Sequence, residues 1–582
     1  MLKRFSSPVE GVKGRILVVF SALLVFFIWE GLTLAHLHLA DHAKISHPYV
    51  REFKGLRGRI FDRNGEKNPL AISVPLWEFF LDPKIVTTNR EVIAETVSRH
   101  LKVETDWVLE QFNRTGAGSR HIKLGRSNDR EIHDALLKFR GIGADEIIVR
   151  KYPYGKAMSH VLGFVNAMDV GGAGIEQTLN TELSGAPGVI RGEKDAKQRE
   201  IYSRRSTYAP PIPGHDVHLT LDLNIQNEVE KALHEVIEKF HATRGWVIVQ
   251  KIATGEILSL ATYPDYEPET YNRYTKDEYK NYALCSVYEP GSIMKAITVS
   301  AYLNERLGGP NTLINAEQGI WFYAGKPLRD HATGYITVSK AIKKSSNIVC
   351  AKIGLMLGDN RLYGYLRAFN FGSRFNVGLP GEEAGIVPNP RNKNRWSKLT
   401  PTRVTIGQGI GVTGLQMVAA YSALANDGKM MQPYLIDKIV TANGEVIRKS
   451  IPKVIGRPVR PGVARQVCQM LKGVTEPDGT GRRAAVRGYS VAGKTGTAQK
   501  SGKGGYSQTD YYASFVGFLP SQEPVFTLLV TVEKPQPQHT GGFVAAPVFS
   551  KLAGKIAQYL EIPPDEPEEL EEEWDELSLP AL

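Results

Sequence analysis

YEPGSIMKA, residues 288 to 296, decides how the rest of the chain is read. A Pro290-Gly291 turn delivers Ser292, and Lys295 follows three residues later. On a helix, positions i and i+3 share a face, so Lys295 can reach Ser292. Free N–H groups and the dipole at a helix N-terminus stabilise an oxyanion or a developing alkoxide. A lysine buried among other cations can lose its proton and serve as a base. The plain alternative is a serine helix cap with a lysine in the first turn. Serine and lysine are common, so a lone SxxK carries little weight.

Two elements downstream change that weight. Ser345-Ser346-Asn347 lies in AIKKSSNIV, 53 residues after Ser292. It sets a hydroxyl and an amide two positions apart. Lys494-Thr495-Gly496-Thr497 lies in SVAGKTGTAQK, 149 residues beyond Ser345. A strand there puts alternate residues on one face, and Gly496 removes a side chain where a substrate must approach the backbone. Taken singly, SSN reads as a turn or cap and KTGT as a solvated strand end. In the order SxxK, SxN, KTG they form the signature of penicillin-binding proteins and class A β-lactamases.

The 582 residues imply two or three folded units. Formal charge is +11, yet EIPPDEPEELEEEWDEL (561–577) holds ten acidic residues and no basic ones, so the rest carries about +21. A basic body suits nucleic acid, anionic lipid headgroups or an acidic cell-wall precursor. Zinc-finger spacing and RNA-binding aromatic signatures are missing, so no nucleic-acid partner is expected. Cys285, Cys350 and Cys468 are odd in number and far apart, which gives neither a disulfide framework nor metal-ligand spacing.

Residues 16 to 35, ILVVFSALLVFFIWEGLTLA, are long and apolar enough to cross a bilayer as a helix. Lys3, Arg4, Lys13 and Arg15 precede the run, which puts the N-terminus in the cytoplasm and the remainder outside. A cleaved signal peptide is the rival, disfavoured by the length of the run and by Trp29 at an interfacial position. The expected organisation is a cytoplasmic tail (1–15), a transmembrane anchor (16–37) and a basic, loop-rich linker to about residue 54. A pedestal domain (48–215), a catalytic domain (216–560) and an acidic disordered tail (561–582) follow. RGRIFDRNGEKNPLAISV (57–74) reads as strand, Asn64-Gly65 turn and strand. Residues 91–140 read as helical, and APPIPG (209–214) as a seam. DVHLTLDLNIQNEVEKALHEVIEKF reads as a strand running into an amphipathic helix. WVIVQKIATGEILSLATY reads as two strands about a Thr254-Gly255 turn, hence an antiparallel sheet with helices.

On these motifs the chain resembles the class B penicillin-binding proteins, the monofunctional D,D-transpeptidases of bacterial walls. RGRIFDRNG, RKYPYG with His160 and Gly163, and GAGIE with LSGAPG are similar to the pedestal of that class. GHDVHLTLD, YEPGS, TIGQGIGVTGLQ and YYASFVGFLP are similar to its transpeptidase domain. The resemblance implies a multidomain α+β fold: one transmembrane helix, an elongated dimerisation-like pedestal, and a serine β-lactamase-like domain. No segment before the pedestal has the length of the glycosyltransferase domain of class A relatives. SSN, where the elongation type usually carries aspartate third, points to the division (FtsI) type. The lack of PASTA repeats after residue 560 points to the Gram-negative form. The Ile-Met pair in SIMK and the acidic tail depart from the pattern.

The resemblance implies a peptidoglycan stem ending in D-Ala-D-Ala as substrate, drawn from lipid-linked precursor polymer. Ser292 is then the nucleophile and Lys295 the acylation base, with Ser345 a proton relay to Lys494 and the leaving amine. Asn347 holds substrate backbone and Lys295. The N–H groups of Ser292 and Thr497 form the oxyanion hole, and Lys494, Thr495 and Thr497 meet the terminal carboxylate. The Lys494 cation keeps Lys295 neutral. β-Lactams would acylate Ser292, and no metal or cofactor is required. Implied partners are an FtsW-type glycan polymerase and other division proteins. Arg57, Gly58, Asp62 and Arg63 are either purely structural or a docking surface for that membrane partner. The competing functions are a carboxypeptidase or β-lactamase hydrolase, a non-catalytic division scaffold, and the same chemistry in elongation or sporulation.

Overall fold

The computed structural model describes residues 8–40, 47–65, 67–86, 89–114, 120–195, 200–502 and 505–566. The start of the expected cytoplasmic tail and residues 567–582 of the acidic tail lie outside them. The chain forms two compact units, Met1–Leu56 with Gly185–Pro213, and Arg57–Ser184 with Gly214–Leu582. The expected pedestal segment is therefore divided between them, close to the APPIPG seam.

The first unit contains the helix Pro8–Ala40, within which Gly14–His36 has the length and hydropathy to cross a bilayer. It also contains a three-stranded antiparallel sheet in the order His47–Phe53, Gly188–Lys194, Thr207–Ala209. The first strand corrects the expected loop-rich linker. Its seven residues pair from His47 with Lys194 to Phe53 with Gly188. They are largely exposed, so the strand rests on its backbone ladder and shows no apolar alternation to a sequence reader.

In the second unit, the long strand Pro69–Leu81 is central to the pedestal. It pairs with Ile142–Lys151 along ten residues and with Ile122–Ser127. Helices Arg90–Leu101, Thr105–Gln111 and Arg130–Leu136 cover this sheet around Phe79, Leu81, Val97 and Leu136. The strand Ile122–Ser127 corrects the all-helical reading of 91–140. It is short, and its inward residues are only Ile122 and Leu124. The expected hairpin is present as Ile60–Phe61 and Pro69–Leu81. Ile60–Phe61 also pairs in parallel with Asp216–Leu219, so the sheet runs on into the catalytic domain.

The pedestal residues singled out in the sequence are tied inward. Arg57 Nε sits 2.5 Å from Glu176 Oε2, and Arg150 Nε sits 2.7 Å from Oε1 of the same fully buried carboxylate. Arg57 also donates to Asn180 and Ser184. Gly58 N–H donates to the Leu183 carbonyl. Asp62 accepts from the N–H groups of Asn64 and Leu223, and Arg63 pairs with Glu256.

The catalytic domain is built on a five-stranded antiparallel sheet. Its order is Ile257–Tyr263, Arg244–Lys251, Phe526–Glu533, Gly505–Leu519, Ala492–Gly502. Alternation sends Val247, Val249, Leu528 and Val530 to one face. There the helices Leu223–Lys239 and Gly541–Tyr559 pack. Trp246, Ile248, Leu529 and Val516 face the other side, which is covered by the helices Lys295–Asn304, Asn347–Leu357, Gly414–Ala425 and Pro461–Lys472. This agrees with the expected β-lactamase-like arrangement. The near end of the acidic tail does not follow the disordered reading. Ile562 is buried, Asp565 accepts from Ser490 N–H at 2.8 Å, and Glu566 pairs with Lys472. Ile562 burial and the Asp565 and Glu566 contacts thus seat it before the dense acidic run begins.

Candidate active site

Ser292 stands on a short 3₁₀ turn, Gly291–Met294, that leads into the helix Lys295–Asn304. Pro290 and Met294 occupy the capping positions, so Ser292 caps neither element. The turn is held on several sides. Gly291 N–H donates to the Gly407 carbonyl at 3.1 Å. The Tyr421 hydroxyl donates to the Ile293 carbonyl, and Thr298 to that of Thr405. A Cβ on Gly407 would fall 2.1 Å from the Gly291 carbonyl oxygen, so only glycine lets the TIGQGIG loop approach this closely. Glu289 accepts from Gly409 N–H and from the Tyr506 hydroxyl, tying the turn to the loop and to the long hairpin.

Lys295 is completely buried, and its ammonium nitrogen meets three acceptors. These are the Ser345 carbonyl at 2.6 Å, Ser345 Oγ at 3.1 Å and Asn347 Oδ1 at 2.7 Å. Ser345 adopts φ +58°, a left-handed conformation that non-glycine residues seldom take. That conformation turns both its oxygens toward one nitrogen. Asn347 opens the helix Asn347–Leu357, and its amide nitrogen donates to the Arg329 carbonyl. Ser346 is buried, caps the helix at Val349 N–H, and donates to Asp330. Asp330 also accepts from Ile348 N–H at 2.9 Å. The motif reading had no signal for Asp330 or Tyr421, which act from separate stretches, nor for the contacts of Glu289 with Gly409 and Tyr506, which only the fold brings together.

Lys494, Thr495, Gly496 and Thr497 lie on the edge strand Ala492–Gly502, bonded on one side to Gly505–Leu519. Lys494 shares the face of Ala492, toward the helices that carry Ser292 and Asn347, and is wholly buried. Thr495 and Thr497 alternate with Lys494 along the strand, yet Thr495 Oγ1 stays within 3.4 Å of Lys494 Nζ at its edge. Thr495 donates to Thr480, and Thr497 Oγ1 accepts from Gly541 N–H at 3.1 Å. The room expected at Gly496 is occupied by the protein itself. A Cβ would lie 2.3 Å from Ser514 Oγ, and 3.1 Å from both Ile293 and the Pro290 carbonyl. Its glycine therefore lets the strand close on the nucleophile turn.

Burial lowers the pKa of Lys295 to about 8, against a small upward pull from Cys350 and Asp330. Burial also drives Lys494 well below its ordinary value, and the Lys295 charge pushes it further. Both buried lysines thus hold their protons less tightly than in water. Lys295 has three acceptors, whereas among the described residues the hydrogen bonds of Lys494 are long ones to Thr495, at 3.3 and 3.4 Å. Ser292, Lys295, Ser345, Asn347 and the KTGT edge meet where the helical face of the sheet closes on the turn. This is a serine presented beside two loosely protonated lysines, the equipment for acyl transfer.

Residues 245–554 match the family described as Penicillin binding protein transpeptidase domain, and residues 53–219 match Penicillin-binding Protein dimerisation domain. The chain belongs to the class B penicillin-binding proteins. This penicillin-binding protein is 31% identical over 525 residues to Peptidoglycan D,D-transpeptidase FtsI of Escherichia coli K12, covering 89% of this chain and 86% of that one. It is 30% identical over 528 residues to Stage V sporulation protein D of Bacillus subtilis, covering 88% and 80%. A crystal structure of Penicillin binding protein 3 from Mycobacterium tuberculosis, complexed with aztreonam, aligns with a TM-score of 0.69 at 27% identity. It covers 89% of this chain and 99% of that one.

Proposed function

We propose that this penicillin-binding protein is a peptidoglycan D,D-transpeptidase working through a Ser292 acyl-enzyme, in septal wall synthesis at division. The observation that carries the chemistry is the Lys295 nitrogen held by Ser345 and Asn347, one helical turn from Ser292. In its neutral form Lys295 takes the Ser292 proton as Oγ attacks the penultimate D-Ala carbonyl. The N–H groups of Ser292 and Thr497 receive the oxyanion. The C–N bond then breaks, and the leaving D-Ala amine takes a proton relayed through Ser345 from Lys295 or Lys494. An amine of a neighbouring stem attacks the ester, surrenders a proton along the same path and frees Ser292. Lys494, Thr495 and Thr497 receive the terminal carboxylate, whose charge restores the proton on Lys494.

A β-lactam carries the same acyl and carboxylate groups and leaves Ser292 acylated. Ser292→Ala is expected to abolish covalent labelling by a fluorescent penicillin, and persistent labelling would move the nucleophile elsewhere. Rapid turnover of the label would favour a hydrolase.

The helix Gly14–His36, with basic residues before it, supports a single-pass anchor with the catalytic domain outside the cytoplasm. FtsI in the name of one relative supports the division role, and an FtsW-type polymerase is the partner that the division reading implies. The sporulation protein at nearly equal identity favours a second reading, the same chemistry in spore formation. A fluorescent fusion at mid-cell in growing cells supports the first; confinement to sporulating cells or the side wall removes it.

A further inference from the structure

We propose that residues 567–582 bind in cis to a groove between the helices Val338–Lys343 and Pro461–Lys472. The groove has a volume of about 500 Å³. Pro310 and Met470 line its apolar part, Gln469 lies along one wall, and Lys340, Lys343 and Arg465 stand at its rim.

Three observations select this occupant. The first is where the described chain stops. Glu566 pairs with Lys472 at 2.5 Å, on the same helix whose Arg465, Gln469 and Met470 line the groove. Asp565 and Tyr489 fix the preceding residues beside it, through Ser490 and the Ile562 carbonyl. From Lys472 back to Arg465 is seven residues of helix, roughly 10 Å. Four extended residues span up to about 13 Å, so Leu570 reaches the groove from Glu566.

The second is pattern. Leu570, Trp574 and Leu577 fall at i, i+4 and i+7, the spacing of anchors that an amphipathic helix lays into a groove. Glu571, Glu572, Glu573, Asp575 and Glu576 occupy the positions between, and Glu568 and Glu569 precede them. The third is charge. Lys340 has no ion-pair partner among the described residues. Lys343 is paired with Glu476 and Asp478, and Arg465 with Asp427, in contacts exposed enough to be exchanged. Glu566 on Lys472 is already one tail carboxylate paired with a cation of this helix.

The groove adjoins the acyl-transfer site. The helix Val338–Lys343 ends two residues before Ser345, and the Lys343 carbonyl accepts from Thr480, which accepts from Thr495. A tail seated there braces the loop that holds Lys295 and the strand that holds Lys494. The inference stands without the transpeptidase reading, because its test reads binding.

The test uses a fluorescein-labelled peptide of residues 567–582 and the full chain ended after Glu566. The shortened chain should bind the peptide. The full chain should bind it at least tenfold more weakly, since its own tail competes at high effective concentration. Lys340→Glu in the shortened chain should weaken binding at least fivefold and more at low salt. In the full chain, a photo-crosslinking residue in place of Trp574 should join within the same molecule to 338–343 or 461–473. Failure of the shortened chain to bind, equal binding by both chains, or cross-linking to lipid, another protein or a second copy would overturn the proposal.

Discussion

Asn347 Oδ1 lies 2.7 Å from Lys295 Nζ, across a 52-residue separation, while the other end of the same amide donates to the Arg329 carbonyl. The amide thus has a fixed orientation and holds the lysine from the side of the SSN loop. Asn347→Ala should lower the acylation rate by a fluorescent penicillin about ten- to a hundredfold, with thermal stability nearly unchanged. Lys295→Ala should cost about three orders of magnitude or more. Near-normal acylation by the lysine variant would assign the base elsewhere.

Acylation should rise with pH and level off above about 8, where burial has placed the Lys295 titration. The sign follows from the base acting only when neutral, so protons inhibit below that point. Stopped-flow acylation between pH 6 and 9.5 measures this. A profile flat from 6 to 8 would contradict a lysine base.

Gly496→Ala should both destabilise the domain, by about 1–3 kcal/mol, and slow acylation, because the new methyl meets Ser514 and the nucleophile turn. Ser514→Ala in the same chain removes the nearest clash and should recover part of the stability. Calorimetry of the single and double variants decides the matter. No stability loss in the single variant would leave the close contact without consequence.

Glu176→Ala should cost about 3–5 kcal/mol, since it strands two buried guanidinium groups. Penicillin labelling at permissive temperature should persist, as Glu176 bonds Arg57 and Arg150 and none of the residues that hold Lys295. Unfolding curves and labelling on the same sample test both halves. Such a result would favour the structural role of Arg57 over a docking role.

Much of the site was legible because its three motifs are short, local and ordered in sequence. Lys295 meets Ser345 and Asn347 across separations of 50 and 52 residues, as the order of the motifs leads one to expect. The five-stranded sheet was legible from direct strand-turn-strand joins such as Thr254-Gly255. What escaped has a common cause, dependence on distant partners. His47–Phe53 becomes a strand only because Gly188–Lys194 lies beside it. Ile562 and Asp565 look like tail until Tyr489 and Ser490 receive them. At Gly496, only the packed fold reveals that a side chain would meet Ile293 and the Pro290 carbonyl. Asp330 organises the SSN loop from a sequence position with no pattern of its own.

The two buried lysines also make the pocket a sink for protons. Each holds its proton less tightly than in water, and with Lys295 titrating near 8 the site carries less than its full charge at mildly alkaline pH. A carboxylate arriving beside Lys494 raises that lysine's affinity for a proton, and binding then draws protons from the buffer. The enthalpy of binding an anionic ligand should accordingly change with the ionisation heat of the buffer, tying recognition of the carboxylate to the charge state of the base before any bond is made.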